Sequence, residues 1–159
     1  MLIGASILSV VMGAVLSLLA TTWAKQPADQ EWNHQVEDTR TGVYRMTRDL
    51  RQGTSITVLS AYRMSADVRL NGVTQHLLYQ CDLSGVCTRK ASSGAPPSPG
   101  PGGAVMTRHV VNVANGVPVF TQPSPGYFKV TVQASATGAY KTNASHTLTY
   151  TDGFYARNN

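Results

Sequence analysis

The two cysteines, Cys81 and Cys87, are the side chains whose type and spacing most directly suggest a covalent bond. The residues between them, Asp82 to Val86, include Gly85 and can turn back on themselves. In an oxidising, exported compartment such a pair can close a small disulfide loop, worth about 2 kcal/mol. Two cysteines alone do not make a structural zinc site, which takes four ligands. The histidines, His34, His76, His109 and His146, show no metal-binding spacing such as HExxH. They read as scattered surface or sheet residues. No glycine-rich phosphate loop and no GxSxG nucleophile elbow is present. Outside the N-terminal third the only acids are Asp67, Asp82 and Asp152. The expectation is a protein that is not an enzyme and has no cofactor or metal.

The remaining chemistry is cationic. The body carries Arg63, Arg69, Arg89, Lys90, Arg108, Lys129, Lys141 and Arg157, with Tyr62, Tyr79, Tyr127, Phe128 and Tyr155 in the same stretches. Cations interleaved with aromatics can form a nucleic-acid surface, and Arg89, Lys90, Arg108, Lys129 and Lys141 are the candidates for it. A solvated basic surface is the plainer reading of the same residues. Asn143-Ala144-Ser145 matches a glycosylation sequon, read here as coincidence.

The elements that must position these groups divide the chain in two. Lys and Arg number 13 against 8 Asp and Glu, a net charge of +5 with a pI near 9.5. Charged residues are only 13% of the chain, about half the usual share of a soluble domain. None of them falls between Met1 and Ala24; Lys25 is the first. A bilayer core is about 30 Å thick and takes about 20 apolar residues as a helix, which this lead supplies. Residues 1–24 are therefore expected to form a transmembrane or filament-core half-helix. Its apolar surface is made by Leu2, Ile3, Ile7, Leu8, Val10, Val11, Val15, Leu16, Leu18 and Leu19. Trp23 and Lys25 fall where an interfacial aromatic and a snorkelling cation belong. A cleaved secretory signal would need a basic segment before a shorter apolar core, and this lead has neither. Gly13 and Ser17 form a small-xxx-small pair suited to close helix approach, although small residues are common in membrane helices generally.

Beyond Pro27 the pattern becomes amphipathic. Trp32, Val36, Thr39, Val43, Met46 and Leu50 advance by three or four residues and form one stripe. Trp32, Val36, Val43, Met46 and Leu50 are its apolar members. Acids cluster early and arginines late, as the helix dipole favours, and Gly53 reads as the stop. Residues 25–53 are thus expected to be an amphipathic half-helix, giving with the lead one helix of about 75 Å if unbroken. Residues 54–159 read as a β-sheet head. Asn71-Gly72 and Asn115-Gly116 are hairpin signals, and strands are expected at 105–113, 117–120, 127–134 and 146–151. Residues 91–103, ASSGAPPSPGPGG, read as a loop or linker. The expected class is α+β, a long N-terminal helix packed on a C-terminal antiparallel sheet.

Several segments in order resemble the PilW-like minor pilins and the related J-type pseudopilins of type II secretion. The lead LIGASILSVVMGAVLSLL is similar to the pilin stretch just after the prepilin cleavage site. Tyr44 to Gln52 resembles the R-M-x-R-D-L-R-Q end of the family's long helix. Leu78-Tyr79 followed by Thr88-Arg89 is similar to its hairpin, and Phe154 to Asn158 to its closing segment. Together these span nearly the whole chain. The family has a glutamate at its fifth mature position, where this chain has Ala5: either Met1 stands about five residues inside the mature form, the reading the resemblance favours, or this subunit lacks that glutamate.

The resemblance implies a type IV pilin fold and a non-catalytic structural subunit. Such a subunit sits in the bacterial cell membrane as a single-pass protein with its head outside the cytoplasm. After assembly it belongs to an extracellular or periplasmic filament. The implied partners are other pilin or pseudopilin subunits, the inner-membrane assembly machinery and, before assembly, the lipid bilayer. The alternative is a membrane-anchored DNA-binding or adhesive module whose partner is DNA or a host or surface ligand.

Overall fold

The computed structural model describes residues 2–70, 72–136 and 146–156, with the side chains of all but 2–9, 24–32, 70, 136 and 146 among them. A helix, α1 (Leu2–Arg51), leads into eight strands. These are β1 (Gly53–Ser60), β2 (Arg63–Leu70), β3 (Val73–Cys81), β4 (Cys87–Ser92), β5 (Ala104–Thr107), β6 (Phe120–Ser124), β7 (Tyr127–Ala136) and β8 (His146–Tyr155). They form a five-stranded sheet in the order β1-β2-β3-β4-β5 and a three-stranded sheet in the order β6-β7-β8, antiparallel throughout.

This corrects the expected fold class. The sequence suggested a long helix laid along one antiparallel sheet; the head is instead mostly β, built of two sheets. The described side chains of α1 fall in two runs, 10–23 and 33–51, and only the second packs on the head. The reason lies in β7. Phe128, Val130, Val132 and Ala134 alternate inward and are buried, so this strand needs an apolar cover of its own. One sheet could not bury both its own inner face and this one, and the end of α1 serves both sheets.

The core is a single cluster. Val43, Met46 and Leu50 of α1 meet Met64, Ala66, Val68, Leu77 and Tyr79 of the first sheet and Phe120, Phe128, Val130, Val132 and Phe154 of the second. Phe128 and Phe154, cross-strand neighbours, stack with ring centroids 5.6 Å apart. Of the expected stripe Thr39, Val43, Met46 and Leu50 are buried, and only its start departs, where Gln35 is buried and Val36 half so. Thr39 and Thr47 are buried within it, their hydroxyls satisfied by donation to the carbonyls of Gln35 and Val43 one turn back. Trp32 lies outside the described side chains. Gly42 brings the helix backbone against β5: a Cβ built there would collide with the Met106 carbonyl oxygen. Gly53 is no left-handed cap. It opens β1, tucked against Leu50 and Ile56 where a larger residue would crowd.

The sheets are joined by the connection after β5. The expected strand over 105–113 ends at Thr107, and the segment that follows turns at 112–116 instead of making a hairpin. Within it Val110 bridges Ala134 of β7, and Asn112 is fully buried. The Asn112 amide donates to the carbonyls of Val117 and Thr131 and accepts the N–H of Gln133, so one side chain fastens the connection to β7. The expected strand at 117–120 begins only at Phe120, whose N–H, like that of Val119, binds the Ala61 carbonyl beyond β1.

Candidate functional site

The described part of the lead presents apolar side chains on every side. Val10, Val11, Met12, Val15, Leu16, Leu18, Leu19 and Trp23 are all exposed, and no charge interrupts them. Its polar groups are turned inward to the helix: Ser17 donates to the Ala14 carbonyl at 2.9 Å, and Thr21 and Thr22 donate to that of Leu18. Beside Gly13 there is open space. Full burial of an aliphatic side chain is worth about 1.5–3 kcal/mol, part of which these forgo while they face water, and a contiguous apolar surface of this kind marks an interaction site. Among the described residues no helix is long and apolar enough to cross a membrane. Leu2, Ile3, Ile7 and Leu8 lie outside the described side chains.

A polar joint ties the other end of α1 to the head. The Tyr79 hydroxyl of β3 donates to Oδ2 of Asp49 at 3.0 Å, and Nε of Arg89 on β4 stands 3.4 Å from the same oxygen. Arg48 approaches the other carboxylate oxygen at 3.8 Å from solvent. Burial pushes the Tyr79 hydroxyl well above its ordinary range, and the Asp49 carboxylate pushes it further, so it remains a donor. Tyr79 and Arg89 face each other in register, which puts both side chains on the inner face under the helix end. Arg89 is the counter-charge of Asp49. The segments around Asp49, Tyr79 and Arg89 converge here from three separate elements.

The outward face of the first sheet holds a second arrangement that the sequence had shown only as a loop. Residues 93–103 fold back as a strap. The Gln80 amide accepts the N–H of Gly100 and donates to its carbonyl, and Lys90 Nζ donates to the Ser98 carbonyl at 3.0 Å. Leu78, on the same face as Gln80 and Lys90, is outside the core cluster and is nevertheless buried. Lys90 thus lies at the surface and tethers the strap. Of the remaining basic candidates, Arg108 is exposed beyond β5, Lys129 is half-buried on the outward face of β7, and Lys141 lies outside the described residues. Adjacent along β4, Arg89 and Lys90 point to opposite faces. The four described ones do not share one face.

Cys81 and Cys87 are directly paired across β3 and β4 and bonded, with Cα atoms 4.0 Å apart. Asp82 shapes the loop between them, its carboxylate accepting the N–H groups of Ser84 and Val86. His76 Nδ1 lies 2.7 Å from Oδ1 of Asp67, its cross-strand neighbour. His34 and His109 are exposed, and the side chain of His146 lies outside those described. Among the described residues no three His, Cys, Asp or Glu side chains gather where they could hold a metal ion.

Sequence reasoning missed Gly42, Gln80 and Asn112. Nothing local marks them, since each acts on a segment far away in the chain. No family model, curated protein or solved structure matches this chain.

Proposed function

We propose that this chain is a non-catalytic structural subunit of a filament of the type IV pilus or type II secretion kind. In this reading the apolar lead is held by a membrane before assembly and by the leads of other subunits afterwards. The observation that carries the reading is the contrast along α1. Residues 10–23 are exposed and uncharged, while Val43, Met46 and Leu50 of the same helix are buried in the head. A folded head with an apolar rod that its own chain leaves bare needs an apolar environment from outside. Lipid and other apolar helices meet that need equally, since hydrocarbon tails and leucine side chains are alike in polarity. The partners are therefore other subunits, an inner-membrane machinery that transfers them, and the bilayer.

The resemblance in the segments around Asp49, Tyr79 and Arg89 supports the same reading. These residues serve to dock a helix on a sheet and form no reactive constellation. The DNA-binding alternative is weakened by the engagement of Arg89 with Asp49 and of Lys90 with the strap.

The test is flotation of the purified full-length chain with phospholipid vesicles. The wild-type chain is expected to float, and the Val15→Asp/Leu16→Asp double variant to stay in solution with an unchanged denaturation midpoint for the head. A wild-type chain that is monomeric in water without detergent overturns the proposal. In cells with a filament system, loss of the gene should reduce or abolish filaments seen by electron microscopy.

A further inference from the structure

The outward face of the first sheet carries a two-by-two block of side chains: Leu78 and Gln80 on β3 stand directly across from Lys90 and Thr88 on β4. The strap of residues 93–103 meets this block through its main chain. Oε1 of Gln80 accepts the Gly100 N–H at 3.1 Å while its Nε2 donates to the Gly100 carbonyl. One side-chain amide thus reads both polar groups of a residue, as a neighbouring strand would. Lys90 Nζ donates to the Ser98 carbonyl. Within the strap only Pro97 and Gly100 are half-buried, and its other residues are exposed. The fit is incomplete, because the Thr88 hydroxyl is buried and has no hydrogen-bond partner among the described residues. Closure also leans on glycine: Gly100, Gly102 and Gly103 hold φ of 141, 91 and 107°, which residues with a side chain rarely adopt.

We propose that the strap is a built-in stand-in for a ligand, and that this block, once the strap lifts, binds an extended, uncharged Pro/Gly-rich segment of another protein. The inference goes beyond the filament reading and does not depend on it. Every group that Gln80 and Lys90 take from the strap belongs to the main chain, so a segment of another chain offers the same groups. The strap itself states the ligand class. Residues 91–103, ASSGAPPSPGPGG, hold no charge. Their prolines keep a chain extended at low entropic cost, and their glycines let the main chain come close to the sheet. The Thr88 hydroxyl is free to donate to a carbonyl that the strap does not present. Val105, opposite Thr88 on β5 and 45% exposed, extends the block with apolar surface. Gln80 and Lys90 hold the strap to the block by three hydrogen bonds, few enough for it to open while the sheet stays formed.

The test uses full-length chains held singly in detergent micelles and, as probe, a capped synthetic peptide of residues 93–103. A chain whose residues 95–102 are replaced by Gly-Ser-Gly leaves the block open. It is expected to bind the peptide with a Kd of about 1 mM or tighter, read by NMR titration. Adding Gln80→Ala to the open chain should weaken binding about tenfold or more, and so should a Gly100→Ala peptide, which the φ of 141° bars from the bound conformation. The wild type should bind about tenfold more weakly than the open chain, because its own strap competes at high effective concentration. Hydrogen exchange of the wild type should show the Gly100 amide exchanging about tenfold or more faster than that of Tyr79 in β3. An open chain with the wild-type circular dichroism that binds no peptide overturns the proposal. So does a Gln80→Ala chain that binds equally well, or a Gly100 amide that exchanges only as the sheet unfolds. Should the open chain fail to fold, Gln80→Ala with the strap intact decides: it should strip the Gly100 amide of protection, and unchanged protection overturns the proposal. An open chain that binds the intact wild-type chain as tightly as the peptide assigns the block to a second copy, and the assignment to another protein falls.

Discussion

Tyr79 shows how one side chain couples the helix to the sheet. It is completely buried, and its hydroxyl gives Asp49 a partner that a phenylalanine could not. The folded state favours the neutral phenol, so its contribution is fully present below the ordinary tyrosine range near pH 10 and is lost as the pH rises above it. Denaturation midpoints measured from pH 8 to 11 should therefore fall more steeply for the wild type than for Tyr79→Phe. At neutral pH the variant should be about 1–3 kcal/mol less stable, because Asp49 loses a hydrogen bond to a charged acceptor. Equal alkaline slopes would contradict the assignment. Gly42 works by absence. With the Met106 carbonyl so close, Gly42→Ala must push α1 away from β5, and overpacking of that kind costs about 1–3 kcal/mol. Helix propensity alone would have made the alanine variant more stable, so the sign of the change in a urea titration separates the two effects.

Among the elements, the β3–β4 hairpin is fastened on both sides. The disulfide closes its tip, while the strap lies across its outward face, held by Gln80 and Lys90. Replacing both cysteines, as Cys81→Ser/Cys87→Ser, frees the tip in the unfolded chain and should cost about 2 kcal/mol. Thermal unfolding with and without reductant should show a drop of several degrees in the wild type and no effect of reductant on the variant. The strap also explains why a Pro/Gly/Ser-rich run is not a linker. Side-chain groups on the sheet satisfy backbone groups that the run cannot pair within itself. That is why its composition predicted irregular structure correctly and its position not at all.

At the scale of the molecule, the lead and the head are independent in their contacts. Val10 to Trp23 lean on nothing in the head, whereas Val43, Met46 and Leu50 sit in the core shared by both sheets. A chain beginning at Asn33 should therefore be water-soluble, with a urea midpoint close to that of the full chain. A chain beginning at Gln52 loses three buried side chains worth about 2–5 kcal/mol each, comparable with the whole stability of a domain. It should lose cooperative unfolding and precipitate, as followed by circular dichroism and size-exclusion chromatography. A soluble, cooperatively folded fragment from Gln52 onward would show that the two sheets do not need the helix.

The sequence by itself determined whatever depends on neighbours close in the chain. The uncharged lead, the three-and-four stepping at Val43, Met46 and Leu50, the alternation along Tyr127 to Gln133 and the turn between Cys81 and Cys87 all follow from local periodicity and chemistry. Tertiary structure alone decided how those pieces share one core. Two sheets formed because β7 and its neighbours carry a second apolar face that must also be buried. Arg89 became a counter-charge and Lys90 a tether because adjacent strand residues point to opposite faces and meet different partners. Gly42, Gln80 and Asn112 have meaning only against Met106, Gly100 and Thr131 respectively. No spacing along the chain records those meetings, because they are made by folding.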